Sequence, residues 1–463
     1  MLWLLESSLK PRPDMITSSE GYAQRLAELL KQPTPRLDHR ELEAFVQTFL
    51  SRRETFLCLV KDHGSPLYAL DREALIAQGR HFLSAFRDCH SEIQPYYAVK
   101  SNNHPEIART LVGLGYGLDV SSGLELEMAL ECGATAIMFS GPGKLDDELE
   151  LAVKHRACVT ILLDSFAELE RVERRAAECD ATIRAGVRLT TLESGIWRKF
   201  GVPLDDLTRF FEAADHCKHV HLCGLQFHIS WNLNPENQVR FISRLGTTMR
   251  GFDKKHLSAV EFLDVGGGYW PTEGEWLQPA ATTAGILRKA AGDSPGDPSD
   301  HFKCAAVPIE EFGARLRHAI EEHLPPDLNF TLCCEPGRWL CHEAMHLLVT
   351  VADRKAPDLV ITDAGTNAVG WERFETDFFP IINLTRPSTE EHECLVAGSL
   401  CTPHDLWGYT YFGEDIQPGD RLLVPNQGAY TYSLRQHFIK PLPPVVVMDR
   451  TRQSARSSGS QGR

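Results

Sequence analysis

The sequence predicts an α/β protein, a parallel (β/α)8 barrel of the TIM type with a second, mostly antiparallel β domain, and three observations carry that prediction. Eight short apolar runs recur with helical stretches in most of the gaps, and chemically capable residues fall at the ends of those runs. After Arg338 the alternation stops and β-type runs take over. At 463 residues the chain is too long for one ordinary domain and long enough for a barrel plus a second unit.

Residues 1–60 show helical patterning from Ala23 to Leu30 and from Leu42 to Leu50, interrupted by the proline-bearing stretch Gln32 to Arg36. They carry no recognisable chemistry and read as an N-terminal extension without an assigned role. After Gly64-Ser65-Pro66, Leu67–Leu70 reads as a strand and Arg72 to Phe86 as an amphipathic helix. The eight runs are Tyr96–Val99, Gly117–Val120, Ala136–Phe139, Val159–Leu163, Ala185–Leu189, Leu222–Phe227, Glu261–Val265 and Thr331–Cys334. The segment Trp270 to Pro308, rich in Gly, Pro and Asp, breaks the beat between the seventh and eighth and reads as a surface insertion. Beyond the barrel, strands are expected at His346–Val351, Leu359–Thr362, Glu393–Ala397, Arg421–Val424 and Val445–Val447, joined by Leu67–Leu70. The expected division is a barrel over 72–338, a β domain from 61–71 with 339–450, and a polar, disordered tail over 451–463.

Bulk properties exclude several classes. Hydrophobic residues at 43%, charged residues at 24% and no run approaching a membrane span describe a soluble globular chain. The apolar start is five residues long without a basic leader or a small-residue cleavage pattern, so the default location is the cytoplasm. A formal charge of −15 argues against a nucleic-acid partner. The thirteen cysteines form no Cys-x-x-Cys pair, and Cys132, Cys158, Cys223 and Cys333 sit in apolar segments, which favours reduced thiols over disulfides or a metal site.

The strand-end residues carry the functional argument, because reactive groups of such barrels collect at the C-terminal ends of the strands. Lys100 ends Pro95-Tyr96-Tyr97-Ala98-Val99-Lys100, where an ammonium is costly unless its charge is used or removed. Gly266-Gly267-Gly268 follow the seventh run, where backbone N–H groups can approach an anion. Glu335-Pro336-Gly337-Arg338 closes the eighth with a carboxylate that needs an internal arginine or a protonated ligand nitrogen. His228 ends the sixth run, where an imidazole can stack on a flat cofactor, while Asp119 and Arg188 end two others. Singly, each motif has a bland reading: a solvated lysine, a flexible turn, a structural Glu–Arg pair, a structural histidine. Gly428-Ala429-Tyr430 and Ser399-Leu400-Cys401-Thr402-Pro403-His404-Asp405, in the second domain, are weak alone.

Together and in this order, from about Pro66 to Pro441, these residues resemble the fold-type III pyridoxal-phosphate-dependent decarboxylases, the group of the ornithine, diaminopimelate and some arginine decarboxylases. The resemblance implies pyridoxal 5'-phosphate as cofactor, held by Lys100 as a Schiff base, with His228 stacked on its ring and Glu335 at the ring nitrogen. It implies that Gly266, Gly267, Gly268, Gly337, Arg338 and Tyr430 hold the phosphate, while Asp119, Arg188 and Lys199 support the cofactor and its surroundings. Cys401 resembles the cysteine that protonates the product, contributed across a head-to-tail homodimer. Racemases of this fold use an arginine where Glu335 stands, so the carboxylate favours decarboxylation.

Two departures bear on the substrate. The residue after the family cysteine is acidic in ornithine and diaminopimelate decarboxylases, where it reads the substrate's far end, and here it is Thr402. The residues after His228, usually small, are Ser230-Trp231-Asn232. The expected substrate is therefore a modified or conjugated amino acid, such as an intermediate of natural-product assembly. Arg198, Lys199, Trp231, Thr402 and His404 are the expected substrate contacts. Asp405, with Arg198, takes that part if the substrate is plain diaminopimelate. An amino-acid racemase and a non-catalytic relative are the alternative readings.

Overall fold

The computed structural model describes residues 19–448 except 32, 88, 89, 91, 194 and 371–373. The chain begins with helices Ser19–Leu30 (α1), His39–Leu50 (α2) and Arg53–His63 (α3) and strand Leu67–Leu70 (β1). Strands Ile93–Ala98 (β2), Gly117–Val120 (β3), Ile137–Phe139 (β4), Val159–Leu163 (β5), Ile183–Leu189 (β6), Val220–Phe227 (β7) and Phe262–Asp264 (β8) follow. Two short strands, Glu275–Leu277 (β9) and Phe302–Cys304 (β10), precede Thr331–Cys334 (β11). β2 to β8 and β11 close a barrel of parallel pairs, with β11 sealing the gap between β8 and β2. Each of the eight expected runs overlaps one barrel strand.

The two-residue period of a strand sorts these sequences into inside and outside. Leu118, Ile137, Ile161, Val187, Leu225 and Leu263 point out into the large core shared with the helices. Tyr96, Met138, Leu162, Cys223, Phe262 and Cys333 form a separate apolar cluster, the plug inside the barrel. One inward step toward the C-terminal mouth the layer turns polar: Asp119, Ser140, Asp164, Arg188, Gln226, Asp264 and Glu335 are all buried. An apolar floor beneath a polar layer gives the mouth a solid base and a low-dielectric wall.

The second domain comprises Met345–Ala356 (β12), Leu359–Thr362 (β13), Ile382–Asn383 (β14), Glu391–Ala397 (β15), Leu406–Phe412 (β16), Arg421–Val424 (β17) and Val445–Val447 (β18), with β1. Its sheet runs β13-β15-β16-β14-β17-β12-β1-β18, and β12 also pairs with β13, so the sheet curls back on itself. The sheet is mostly antiparallel, as expected, but mixed: β1–β12, β12–β13, β12–β17, β14–β17 and β15–β16 are antiparallel, while β1–β18, β13–β15 and β14–β16 are parallel. β14 and β16 were not among the expected strands; β14 is only two residues long, too short for alternation to register.

The extension and the insertion both pack against the β domain. Leu42, Val46 and Phe49 of α2 and Phe56, Leu59 and Val60 of α3 fall on one face each and are buried with Leu67, Ala69, Leu348, Phe412 and Leu423 of the sheet. Asp38 caps α2 by accepting from the backbone N–H groups of Arg40 and Glu41. These two helices are therefore a layer of the β domain, whereas α1 buries none of its residues. The insertion is ordered by β9 pairing with β10, and Trp276 and Leu277 are buried, Trp276 in the same cluster as α2 and α3. Residues 1–18 and the expected tail at 451–463 lie outside the described residues. Among the described residues no disulfide joins the cysteines, and no helix is long and apolar enough to cross a membrane.

If α3 is part of the fold, Phe56→Ala, which empties a fully buried ring position packed edge-on to His346, destabilises the protein by about 3–5 kcal/mol. Tyr22→Ala on the exposed α1 changes stability by less than about 0.5 kcal/mol. Denaturant unfolding of both variants, followed by circular dichroism, checks the contrast.

Candidate active site

β2 ends at Ala98 and the chain tightens into a single turn, Val99–Ser101, that presents Lys100 to the barrel mouth. The Ser101 hydroxyl donates to the Ala98 carbonyl at 2.7 Å, which closes the turn on itself. The other domain then grips it. The Tyr430 N–H donates to the Ser101 carbonyl at 2.7 Å, the Ser433 hydroxyl to the Lys100 carbonyl at 2.9 Å, and the Asn102 amide to the Gly428 carbonyl at 2.8 Å.

The Lys100 ammonium donates to Asp119 Oδ2 at 2.6 Å and lies 3.9 Å from Glu335 Oε2. The walls of the mouth strip water from the ammonium and work against its charge, but Asp119 and Glu335 outweigh them and hold it well above the ordinary lysine range. Asp119 accepts a second bond from the Ser140 hydroxyl at 2.6 Å. Burial, then the nearby charge of Glu335, push the Asp119 carboxyl up from its usual value.

Glu335 is 2% exposed and accepts from Gln226 Nε2 at 2.8 Å and from His228 Nδ1 at 3.1 Å. Burial raises its carboxyl, yet the His228 hydrogen bond and the Lys100 charge bring it down to about 2. His228 Nδ1 also lies 3.2 Å from the Gly267 N–H. One nitrogen cannot donate and accept together, and the carboxylate is the stronger partner, so the proton sits on Nδ1. Asp264 follows Asp119 rather than Glu335: burial and the charge of Glu335 hold its carboxyl well above the usual range. Its Oδ1 accepts from the Gly266 N–H at 2.8 Å while Oδ2 has no hydrogen-bond partner.

Gly266 and Gly268 have φ of 70° and 85°, in the left-handed region that glycine adopts without strain. A Cβ at Gly267 would stand 2.2 Å from the Glu335 carbonyl oxygen, so the loop lies directly against the Glu335 backbone. Arg338 is buried beside this loop, its guanidinium 4.2 Å above the Trp270 ring, 5.1 Å from the Tyr430 ring and 5.7 Å from the Trp231 ring. Arg188, near the end of β6, lies over the Phe200 ring at 4.4 Å and 3.9 Å from Asp164. These residues suit pyridoxal phosphate in chemistry: an amine, an ionised carboxylate across from it, and a glycine loop backed by a guanidinium.

The expected substrate contacts are scattered. Arg198 and Lys199 are exposed on the turn Gly195–Lys199, with Lys199 lying over the Phe200 ring at 5.3 Å. Trp231, half-buried with φ of 58°, donates Nε1 to Glu275 Oε1 at 3.0 Å. Cys401 is exposed and Thr402 half-buried, on a loop that follows β15. His404 is exposed and 2.7 Å from Glu375. Asp405 is corrected: it is buried and its carboxylate accepts from the N–H and hydroxyl of Thr366 and from the Leu400 N–H, at 2.7, 3.0 and 2.6 Å. Those three bonds make it the anchor of the Cys401 loop and leave it poorly placed to serve a ligand. Sequence reasoning missed Gln226, Ser140, Asp264 and Glu275. Gln226 and Asp264 were within reach of it, since each stands two residues before His228 or Gly266 on an alternating strand.

The family model described as "Pyridoxal-dependent decarboxylase, pyridoxal binding domain" matches residues 73–342. The chain is similar to diaminopimelate decarboxylase of Aquifex aeolicus (strain VF5), 24% identical over 446 residues that cover 91% of this chain and 94% of that protein. It is similar to L-glutamyl-[BtrI acyl-carrier protein] decarboxylase of Niallia circulans, 25% identical over 417 residues that cover 85% and 90%. The structure of diaminopimelate decarboxylase from Helicobacter pylori complexed with L-lysine shares the fold, with a TM-score of 0.69, 22% identity, and 85% and 94% of the two chains covered.

A carboxyl held at about 2, against about 4.3 in an unfolded chain, stabilises the fold fully above the unfolded value and loses that contribution as pH falls toward 2. Glu335→Gln therefore flattens the fall in stability between about pH 4.5 and 2 relative to the parent protein, as read from denaturant midpoints across that range.

Proposed function

The chain belongs to the pyridoxal-dependent decarboxylases, and from that premise we propose that it removes the α-carboxylate of a modified or conjugated amino acid, with Lys100 as its cofactor-bearing residue. The observation that carries the reading is the Lys100, Asp119 and Glu335 arrangement at 2.6 and 3.9 Å beneath the glycine loop. When bound, pyridoxal 5'-phosphate supplies an electron sink for the pair left behind as carbon dioxide departs.

This chain's residues divide the remaining work. Glu335, ionised down to about pH 2, holds a proton on a basic ring nitrogen placed against it, with a charge-assisted bond of about 1.5–3 kcal/mol. His228 offers its ring as a stacking face, fixed by Glu335 at one nitrogen. The N–H groups of Gly266, Gly267, Gly268 and Gly337, with Arg338 and Tyr430, take the phosphate. Asp119 orients the Lys100 amine, and the positive charge of Arg188 acts on Glu335. Cys401 delivers the proton to the product carbon. Its exposure, on a loop anchored by Asp405, supports a head-to-tail homodimer in which each copy covers the loop of the other.

The substrate class rests on the same loop. Thr402 brings a hydroxyl where a carboxylate would read a distal ammonium, and Asp405 is occupied by Thr366 and Leu400. Those two facts weigh against free diaminopimelate, the substrate that the Aquifex aeolicus relative's name indicates. The Niallia circulans relative, by name, acts on a glutamyl group carried by a protein, which supports a conjugated substrate here. Arg198, Lys199, Trp231 and His404 are the residues proposed to read the added group.

Carbon dioxide release from a panel of free diamino acids, diaminopimelate, and acylated or carrier-linked amino acids tests the proposal. A conjugated amino acid exceeds the free ones at least about tenfold in kcat/KM, or about 1.4 kcal/mol of transition-state discrimination, and Lys100→Ala releases nothing. Turnover of free diaminopimelate at an equal or higher kcat/KM would remove the conjugated reading. For the shared site, Lys100→Ala and Cys401→Ala are each inactive alone, and mixing subunits of the two restores activity; no recovery in a verified mixed dimer rules against contribution across the dimer.

A further inference from the structure

We infer that Asp264 keeps a proton and donates it in a hydrogen bond to Gln226, and that this bond makes Asp264 a positioning residue for Glu335. The strand order places it for that task. β8 pairs with β7 on one side and β11 on the other, so the Gln226 amide, in reaching Glu335 Oε1 at 2.8 Å, spans the strand that carries Asp264. Gln226 and Asp264 are register partners on β7 and β8, and both are fully buried in the polar layer of the mouth. Neighbouring strands stand about 4.7–4.9 Å apart, a gap that a carboxyl and an amide pointing into the same barrel close between them.

The hydrogen count calls for the proton. An ionised carboxylate only accepts, so Gln226 turns its NH2 group to Glu335 and commits its carbonyl oxygen to a different partner. That oxygen, Oε1, is buried without a hydrogen-bond partner among the described residues. Asp264 Oδ1 accepts from the Gly266 N–H at 2.8 Å, and Oδ2 is buried without a partner in the same way. Two buried acceptors that lack donors are costly side by side. One proton on Oδ2 turns an acceptor into a donor and matches both. Glu335 does not compete for it, because Gln226 already donates to Oε1 and His228 to Oε2.

The surroundings favour a neutral Asp264. Burial raises its carboxyl first, then Glu335 on β11 and Asp119 on β3, while Lys100 works the other way but is bonded to Asp119. Arg188, the register partner of Gln226 on β6, lies by Asp164 and the Phe200 ring. Tyr96 on β2, Cys333 and Cys334 on β11, and Tyr269 complete the titratable groups around it, and burial holds all four well above their usual values, so they bring no charge. The consequence is the orientation of one amide. With Asp264 protonated, Gln226 accepts from it and donates to Glu335; with Asp264 ionised, the amide is drawn to donate to Asp264 and Glu335 loses it. The positioning role rests on the part proposed for Glu335, whereas the proton does not, and the two are measured separately.

Infrared difference spectra of protein carrying isotope-labelled aspartate, with and without pyridoxal 5'-phosphate, read the proton, since a carboxylic acid and a carboxylate absorb in separate regions. At about pH 7, far above the ordinary aspartate value, an aspartic acid band is expected that disappears in Asp264→Asn and shifts in Gln226→Leu. No band lost in Asp264→Asn, or a band that folded Gln226→Leu leaves in place, overturns the hydrogen bond. Titration of the protein with pyridoxal 5'-phosphate, followed by cofactor absorbance, reads the positioning. Asp264→Asn, whose amide donates as the acid does, binds within about threefold of the parent, and Asp264→Leu and Gln226→Leu each bind at least about tenfold more weakly. Because Asp264 acts through Gln226, the double Leu variant loses at least about fivefold less than the product of the two single losses. Losses that multiply in full, or an Asn variant as weak as the Leu variant, overturn the role. A parent protein that takes no pyridoxal 5'-phosphate overturns the cofactor reading and the role with it, and the infrared band still decides the proton.

Discussion

Everything at the barrel mouth depends on one half-buried ammonium facing several fully buried carboxyls. Lys100 meets Asp119 directly and Glu335 at one remove, and Asp264 stands on the strand beside Glu335. A buried carboxylate without compensation costs several kcal/mol, so a single cation cannot keep three carboxyls ionised. The fold answers by treating them differently. Glu335 receives Gln226 and His228 and is held low, Asp119 accepts from both Lys100 and Ser140, and Asp264 is pushed well above the usual range by burial and by Glu335. The neighbouring side chains are there to hold that division, and parallel strands in register bring them together at one height.

Much of this was legible in the sequence, and for a physical reason. Barrel strands buried on both sides leave apolar runs, and a charged residue at the end of such a run is conspicuous, which exposed Lys100, Asp119, Arg188 and Glu335. The glycines 266–268 were legible because a backbone that touches the Glu335 carbonyl admits no Cβ. Gln226 and Asp264 escaped because a polar residue inside an apolar run looks like an interruption until alternation assigns it to the interior. Asp405 misled because a carboxylate next to a reactive-looking cysteine reads the same whether it serves a ligand or caps the Thr366 and Leu400 N–H groups.

The two segments without motifs were harder, since what they do is set by packing between parts of the chain hundreds of residues apart. Phe45 in α2 and Trp276 in the insertion meet edge to face although 231 positions separate them by their numbering. Neither segment shows a pattern that names its neighbour. Amphipathic helices announce that they will cover something, and only the folded chain says that the thing covered is the sheet of the second domain.

The bonds from Tyr430, Ser433 and Gly428 to the turn of Lys100 bear on how such a protein can be divided. A fragment ending after Arg338 would contain every barrel strand and nearly every residue of the mouth, yet the backbone that aims the lysine would have lost its grip from outside. The barrel is thus not a portable module. Recombination between relatives has to exchange barrel and sheet as a matched set, or carry the Gly428–Ser433 strip along with the barrel it steadies.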